Sequence, residues 1–472
     1  MRGTFDGRRV GLEVEHRFAN VPVQLPDGLR WNLLSLFTEI LGGLRRLTGP
    51  LAGVGVDSWG VDYALLDERG RWLGLPFHYR DERTEGMVAR AHARVPREQL
   101  YEVTGIQTMP INTLFQLLAD EGTVALQQAS RIALVPDLIS LWLCGELANE
   151  VTNASTTGLL DARSGTWARP LIERLGLPRS PFEADPIEPG TTLGQVLGAH
   201  GLGGAVPVHA VASHDTASAF VAAPLRSGGA AVLSSGTWSL LGLELDRPML
   251  TGHARDLNLT NERGVDGTIR LLSNVMGLWL LQECRREWNA SYEDLQELAA
   301  HSRPDVALFD PDADGFLRPG DMPARIAEVC ERGGQPRPDG RGEIVRSILT
   351  SLACKYRLVL ERLELVADSS IDTIHVIGGG AHNQVLCALT ADITGRQVLA
   401  GPVEATALGN VLVQARAAGE LSSLSDLRAV AAASVRPAVF EPTGDRAAAD
   451  ATYGRFLDVT SLGVRPGSPA PA

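Results

Sequence analysis

The chain has 472 residues, 44% of them hydrophobic, and a formal charge of −13 at neutral pH. That length exceeds one ordinary core, so two or three domains are expected. The acidic balance argues against nucleic acid and anionic membrane as partners, because both need a basic surface. Five cysteines without Cys-x-x-Cys spacing argue against structural zinc and a disulfide framework, and no long apolar run marks a membrane span. A cytoplasmic protein with free thiols is expected.

In chain order, Val10, Leu12 and Val14 alternate like a strand within residues 9–18, and residues 31–47 have helical spacing. Residues 51–56 read as a short apolar strand ending at Asp57. Residues 61–66 read as a second strand, and 67–70 as a hairpin turn leading into Trp72. Helical spacing dominates residues 84–147. Residues 207–212 read as a buried strand, and 225–229 are turn-rich, a candidate domain boundary. Strands are expected again over 230–245 and 268–273, with long helices from Met276 and from Glu343. A strand over Thr373–Ile377 ends in Gly378-Gly379-Gly380. The Pro-, Ala- and Gly-rich end after Leu462 reads as a disordered tail. The polar turns at 57–60 and 235–238 both lie between apolar strands. Two related α/β domains with a cleft between them, or a coincidence of common turn residues, account for this equally well.

The most informative stretch is Ser213-His214-Asp215-Thr216-Ala217-Ser218, followed by Leu233-Ser234-Ser235-Gly236-Thr237-Trp238-Ser239. Asp215 follows a buried strand and precedes a helix start. Taken alone it reads first as an N-cap. As a general base it would accept a proton from an acceptor hydroxyl, a role worth about 10²–10⁴-fold. Ser213, His214 and Asp215 are not a hydrolase triad, because adjacent side chains point in different directions. The turn at Gly236 is not a Walker A loop, since no Gly-Lys-Ser/Thr follows. It can still offer N–H groups and the Ser235 and Thr237 hydroxyls to a phosphate, with an ordinary hairpin turn as the alternative.

Residues 378–383 half-match a dinucleotide fingerprint, with Asn383 where the third glycine belongs. Close approach to a flat adenine or ribose explains the glycines at least as well, as does a plain tight turn. Residues 57–60 and 78–84 mix aromatic, glycine and polar groups as sugar sites do, with an exposed, salt-bridged helix start over 80–84 as the alternative. A proton-accepting carboxylate beside a phosphate-holding turn makes phosphoryl transfer to a small polyol the leading expectation. A Rossmann oxidoreductase ranks far below it, because the glycine motif comes late and is incomplete.

In this order the motifs resemble those of the FGGY carbohydrate kinases, within the actin-like ATPase superfamily, over roughly residues 8–440. The resemblance is carried by residues 57–63 (Asp-Ser-Trp-Gly-Val-Asp-Tyr), 79–84 (Tyr-Arg-Asp-Glu-Arg-Thr), 104–107 (Thr-Gly-Ile-Gln), 112–116 (Asn-Thr-Leu-Phe-Gln) and 152–156 (Thr-Asn-Ala-Ser-Thr). It continues through 213–218, 233–239, 274–282 (Asn-Val-Met-Gly-Leu-Trp-Leu-Leu-Gln), 378–380 and 401–405 (Gly-Pro-Val-Glu-Ala). Each motif alone is weak; together they are specific.

The resemblance implies an α/β protein of two ribonuclease-H-like domains with the active site in the cleft between them. Residues 1–225 would bind the sugar, residues 226–440 the nucleotide, and 441–472 would be an extension. It implies transfer of the γ-phosphoryl of Mg-ATP to the 1-hydroxyl of L-rhamnulose, with domain closure excluding water. Asp215 would be the base, flanked at the sugar by His214 and Thr216. Gly60 would contact the sugar through its backbone and Asn274 by a hydrogen bond. Thr237 would lie at the ATP phosphates, Gln282 near the nucleotide and Gly379 against the adenosine. No metal ligand is assigned. Alternatives are another ketose kinase, of the fuculose or xylulose type, and a catalytically weak sugar- or nucleotide-binding pseudokinase.

Two departures from the family pattern stand out. The family opens with a strand and a phosphate loop of the type Asp-Leu-Gly-Ala-x-Ser-Gly-Arg, whose Asp lies near the metal. This chain begins Met1-Arg2-Gly3-Thr4-Phe5-Asp6-Gly7, which is similar to the strand after that loop. Either Met1 is an internal start, favoured because the distant motifs are intact, or the chain is short and weakly active. The second departure is Arg263 in Asn261-Glu262-Arg263-Gly264, where the family usually has glycine, which puts backbone contacts to the sugar there in question.

Overall fold

The computed structural model describes residues 1–202, 205–225 and 229–462. Most of the expected boundary at 225–229 and the tail after Leu462 lie outside the described residues. The chain forms two compact units. The first holds Met1–Pro224, Glu244–Leu271 and Ala405–Ser434; the second holds Leu225–Leu243, Leu272–Glu404 and the chain from Val435.

In the first unit, strand Val54–Gly55 pairs in parallel with Pro207–His209, which pairs antiparallel with Thr192–Gln195. Tyr63–Leu66 pairs antiparallel with Arg131–Leu134, and Arg2–Phe5 with Val10–Glu13. Helix Leu33–Leu44 repeats apolar residues at 33, 36, 37, 40, 41 and 44, the stripe that a surface helix buries. Asn32 caps it, accepting from the Ser35 amide. That stripe covers a core containing Leu66, Leu138, Leu143 and Val208. A second core gathers Leu114, Leu117, Leu134, Leu159, Ile172 and Phe182. Full burial of such side chains is worth about 1.5–3 kcal/mol each.

Helix Asp215–Ala222 is buried from Thr216 to its end and packs on helix Ala405–Ala417. The two backbones nearly touch. A Cβ at Gly409 would lie 1.8 Å from the Ser218 carbonyl oxygen, so only glycine fits there.

In the second unit, five consecutive strands of the sheet run in the order Trp238–Leu245, Ala230–Ser235, Thr373–Ile377, Gln397–Ala400, Ala438–Phe440. The central pairs are parallel, with Ser234 opposite Ile377 and Thr373 opposite Gln397. The 28-residue helix Gly340–Ala367 is apolar around much of its circumference and is correspondingly buried, including Leu349, Leu352, Tyr356 and Leu360.

Several expected elements shift. The strand expected over 61–66 begins at Tyr63, because Val61 adopts a left-handed backbone (φ 67°). The strand expected over 207–212 stops at His209. The helix expected from Met276 begins at Trp279, because strand Ile269–Met276 runs on to that methionine. Strand Arg131–Leu134 interrupts the expected helical region. Residues 236–237 link two paired strands as a tight hairpin. The turn at 57–60 instead joins strands that pair with other partners, so the likeness of the two turns does not extend to their geometry. No helix among the described residues is long and apolar enough to cross a membrane.

Candidate active site

In the first unit, the turn after Val54–Gly55 runs beside the start of helix Asp215–Ala222. Ser58 donates its amide to the Ser213 carbonyl and accepts the Asp215 amide, both at 2.9 Å. The N-cap residue is His214, so Asp215 is the first helical residue rather than the cap. A carboxylate there still profits from the positive helix end. Asp215 Oδ1 accepts from the Thr216 amide at 2.5 Å and the Thr216 hydroxyl at 3.1 Å. Its side chain is 45% exposed, and Oδ2 has no partner among the described residues.

Behind this turn lies Glu150, wholly buried, a residue sequence reasoning missed. It accepts from the Ser213 amide and hydroxyl, both at 2.9 Å, from the Thr152 amide and hydroxyl at 2.9 and 2.6 Å, and from the Asn153 amide at 3.3 Å. Burial raises its carboxyl above the ordinary range, and these donors oppose the rise. Asp57, two residues after strand Val54–Gly55, is pushed up to about 6 by removal from water, opposed by its hydrogen bond from Asn410 and helped by the Asp215 charge.

His214 bridges Asp215 and a buried ion pair. Its Nε2 lies 3.5 Å from Asp215 Oδ1, and its Nδ1 lies 3.4 Å from Glu262 and 3.2 Å from the Arg270 guanidinium. Arg270 and Glu262 are 3.2 Å apart, with the Arg270 side chain fully buried. Arg270 also donates to the Arg263 carbonyl at 3.0 and 3.1 Å. The Arg263 side chain reaches the Arg163 carbonyl at 2.9 Å and crowds Gly165, so it covers the neighbouring loop.

Gly60 is buried, and a Cβ on it would meet the Thr156 hydroxyl at 2.8 Å. The Asp62 amide donates to the Gly60 carbonyl at 2.9 Å, closing a γ-turn around Val61. A β-branched residue with positive φ is strained. Thr156 accepts the Val61 amide at 3.1 Å, and Thr113 donates to its carbonyl at 2.6 Å, which holds the turn in place.

The expected aromatic sugar surface is largely internal. Trp59 packs tilted against Trp31 with ring centroids 4.2 Å apart, and Trp31 stacks on His78 at 4.1 Å. Both indoles donate to Asp62, at 2.5 and 3.0 Å. His78 is held down to about 3 by burial and by Arg80. Residues 80–84 are not an exposed helix start: Arg80 and Thr84 are buried, and Asp81 caps the short turn Glu82–Thr84.

In the second unit, the Thr237 hydroxyl donates to Gln282 Oε1 at 3.2 Å. The Gly236 and Thr237 carbonyls accept the Leu278 and Trp279 amides at 2.9 and 3.1 Å, seating helix Trp279–Trp288 on the hairpin. Gly378 (φ 81°) and Gly380 press on Ser235: a Cβ on Gly380 would collide with its hydroxyl, and one on Gly378 would lie 3.0 Å from its carbonyl oxygen. Gly379 faces open space. Asn383 caps helix Gln384–Thr394 by accepting from the Leu386 amide, which explains its departure from the dinucleotide pattern. Thr237, Gln282 and Gly379 thus gather beyond the carboxyl ends of two parallel strands, where open α/β sheets bind ligands. Asn274 lies on strand Ile269–Met276 of this unit. No group of three or more His, Cys, Asp or Glu among the described residues could hold a metal ion.

Known proteins share the chain's sequence and fold. The models of the FGGY family of carbohydrate kinases match residues 40–222 (N-terminal domain) and 231–418 (C-terminal domain). The chain is 41% identical over 464 residues to a rhamnulokinase of Bacteroides thetaiotaomicron, covering 96% of this chain and 95% of the relative. It is 43% identical over 423 residues to one of Pectobacterium carotovorum, covering 88% and 85%. Among solved structures, a xylulose kinase of Lactobacillus acidophilus superimposes with a TM-score of 0.77 at 15% identity, covering 94% of this chain and 91% of that one. A Plasmodium falciparum glycerol kinase with ADP gives 0.74 at 14%, covering 95% and 93%. The two family models and these likenesses together bear out the α/β, actin-like ATPase fold class.

Proposed function

The chain belongs to the FGGY family of carbohydrate kinases, and on that premise we propose that it transfers the γ-phosphoryl of ATP to the 1-hydroxyl of L-rhamnulose, giving L-rhamnulose 1-phosphate. The choice of ketose rests on its rhamnulokinase relatives. The observation that carries the chemistry is the Asp215 carboxylate, fixed through Oδ1 by Thr216 and open at Oδ2. Oδ2 accepts the proton of the 1-hydroxyl as its oxygen attacks the phosphoryl group.

We assign the sugar to Gly60, His214, Asp215, Thr216 and Asn274, and the nucleotide to Thr237, Gln282 and Gly379. Sugar binding falls mainly to the domain over residues 1–225 and nucleotide binding to that over 226–440. Mg²⁺ would be held by substrate phosphate oxygens, water and one or two carboxylates, as is usual for this ion, and would neutralise phosphate charge.

The test is ADP release with Mg-ATP and a panel of L-rhamnulose, L-fuculose and D-xylulose, with the product's phosphate position read by NMR. Highest kcat/KM on L-rhamnulose with a 1-phosphate product is expected. Preference for another ketose would overturn the substrate, and no turnover with any ketose would overturn the kinase reading.

A further inference from the structure

The contact between His214 Nδ1 and Arg270 fixes more than position. A guanidinium has donors only and stays charged. At 3.2 Å it can bond Nδ1 only if that nitrogen offers its lone pair. A proton on Nδ1 would face the guanidinium N–H groups directly. Glu262, 3.4 Å from the same nitrogen, is then the counter-charge of Arg270, which it meets at 3.2 Å. A neutral imidazole without a proton on Nδ1 carries it on Nε2, the nitrogen that faces Asp215 Oδ1 at 3.5 Å.

We propose that the buried Arg270–Glu262 pair positions His214 as a fixed hydrogen-bond donor, its Nε2–H directed to Asp215 and the acceptor sugar. The inference builds on the reading of Asp215 as the base. His214 then cannot compete for the substrate proton, since its outward nitrogen is already protonated, and the proton of the attacking hydroxyl goes to Asp215 alone. A sugar group beside His214 must offer an acceptor lone pair, so His214 selects for an oxygen there. Arg270 and Glu262 are positioning residues. They act through His214, and the Arg263 carbonyl, taking two guanidinium bonds, fixes Arg270.

The test is nitrogen NMR on the full chain labelled at histidine with ¹⁵N, with the His214 signals assigned by their loss in His214→Gln. The expected result in the unsubstituted protein at neutral pH is a bare Nδ1 and a protonated Nε2. That measurement needs no other variant to fold. Arg270→Met should shift the proton toward Nδ1, facing Glu262, and lower kcat at least about 10-fold with a smaller change in KM. Glu262→Gln should keep the Nε2–H form, because Arg270 still donates. A proton on Nδ1 in the unsubstituted protein would overturn the inference. So would a shift in Glu262→Gln with none in Arg270→Met. If Asp215→Asn kept near-normal turnover, the base reading would fail while the tautomer assignment stood. If that variant were dead but Nδ1 carried the proton, only this inference would fail.

Discussion

The Asp215 amide hydrogen-bonds the Ser58 carbonyl at 2.9 Å, so the turn after Val54–Gly55 and the helix that carries the proposed base share one strip of backbone. Because the Ser58 amide donates in turn to Ser213, Ser58→Pro loses that donor, whereas Ser58→Ala keeps both main-chain bonds. Ser58→Pro should cost about 1–3 kcal/mol of stability and most of the activity. Ser58→Ala should stay within about 1 kcal/mol. Thermal unfolding and ADP release check both, and equal effects of the two would refute a backbone role.

Asp215→Asn removes proton acceptance while keeping the shape and the helix start. Turnover should fall by roughly 10²-fold or more with KM little changed. Steady-state kinetics on the ketose decide it. A loss confined to KM would assign Asp215 to binding alone.

Glu150 is the hub behind the site. Glu150→Ala leaves the buried Ser213, Thr152 and Asn153 donors without their acceptor. It should destabilise the protein by at least about 3 kcal/mol. A change in denaturation midpoint corresponding to less than about 1 kcal/mol would mean that these groups find other partners.

Asp62 gives a pH signature. Burial pushes this fully buried carboxyl up to about 6, against hydrogen bonds from Gln116, Trp31 and Trp59. Its folded pKa lies above the unfolded value near 4, so the folded protein holds the extra proton between them. The associated stability is present below about pH 4 and is lost as pH rises through about 6, up to about 3 kcal/mol. His78, held near 3, acts oppositely: its share is lost as pH falls below about 6.5. That share is common to the unsubstituted protein and Asp62→Asn and cancels between them. The stability of unsubstituted protein minus that of Asp62→Asn should therefore fall between pH 4 and 7. A flat difference across midpoints measured at several pH values would refute this.

Local motifs were legible in the sequence. The strand Thr373–Ile377 matches its expected bounds, because a short apolar run is closed by glycine. The Gly236 turn and the helix beginning at Asp215 were likewise readable from neighbouring residues. Glu150, Glu262 and Arg270 were not singled out. Glu150 bonds Thr152 beside it and Ser213 far along the chain, and Glu262 and Arg270 lie eight residues apart, but no local spacing marks that folding buries these charges against the turn at Ser213 and His214. Val61 misled for a different reason. A β-branched residue at the edge of an apolar run reads as strand, and only distant hydroxyls of Thr113 and Thr156 hold it left-handed.

The near-contact between Gly409 and Ser218 bears on how this enzyme's acceptor range can be altered. At Gly409 helix Asp215–Ala222 rests on Ala405–Ala417 backbone to backbone, with no side chain to yield at that point, and the Thr406 hydroxyl donates to the Asp215 carbonyl at 3.2 Å. The base is thus mounted on a rigid anvil. Redesign for a longer or shorter ketose has to reshape the groups facing the carboxylate, because the carboxylate itself cannot be advanced or withdrawn by repacking behind it.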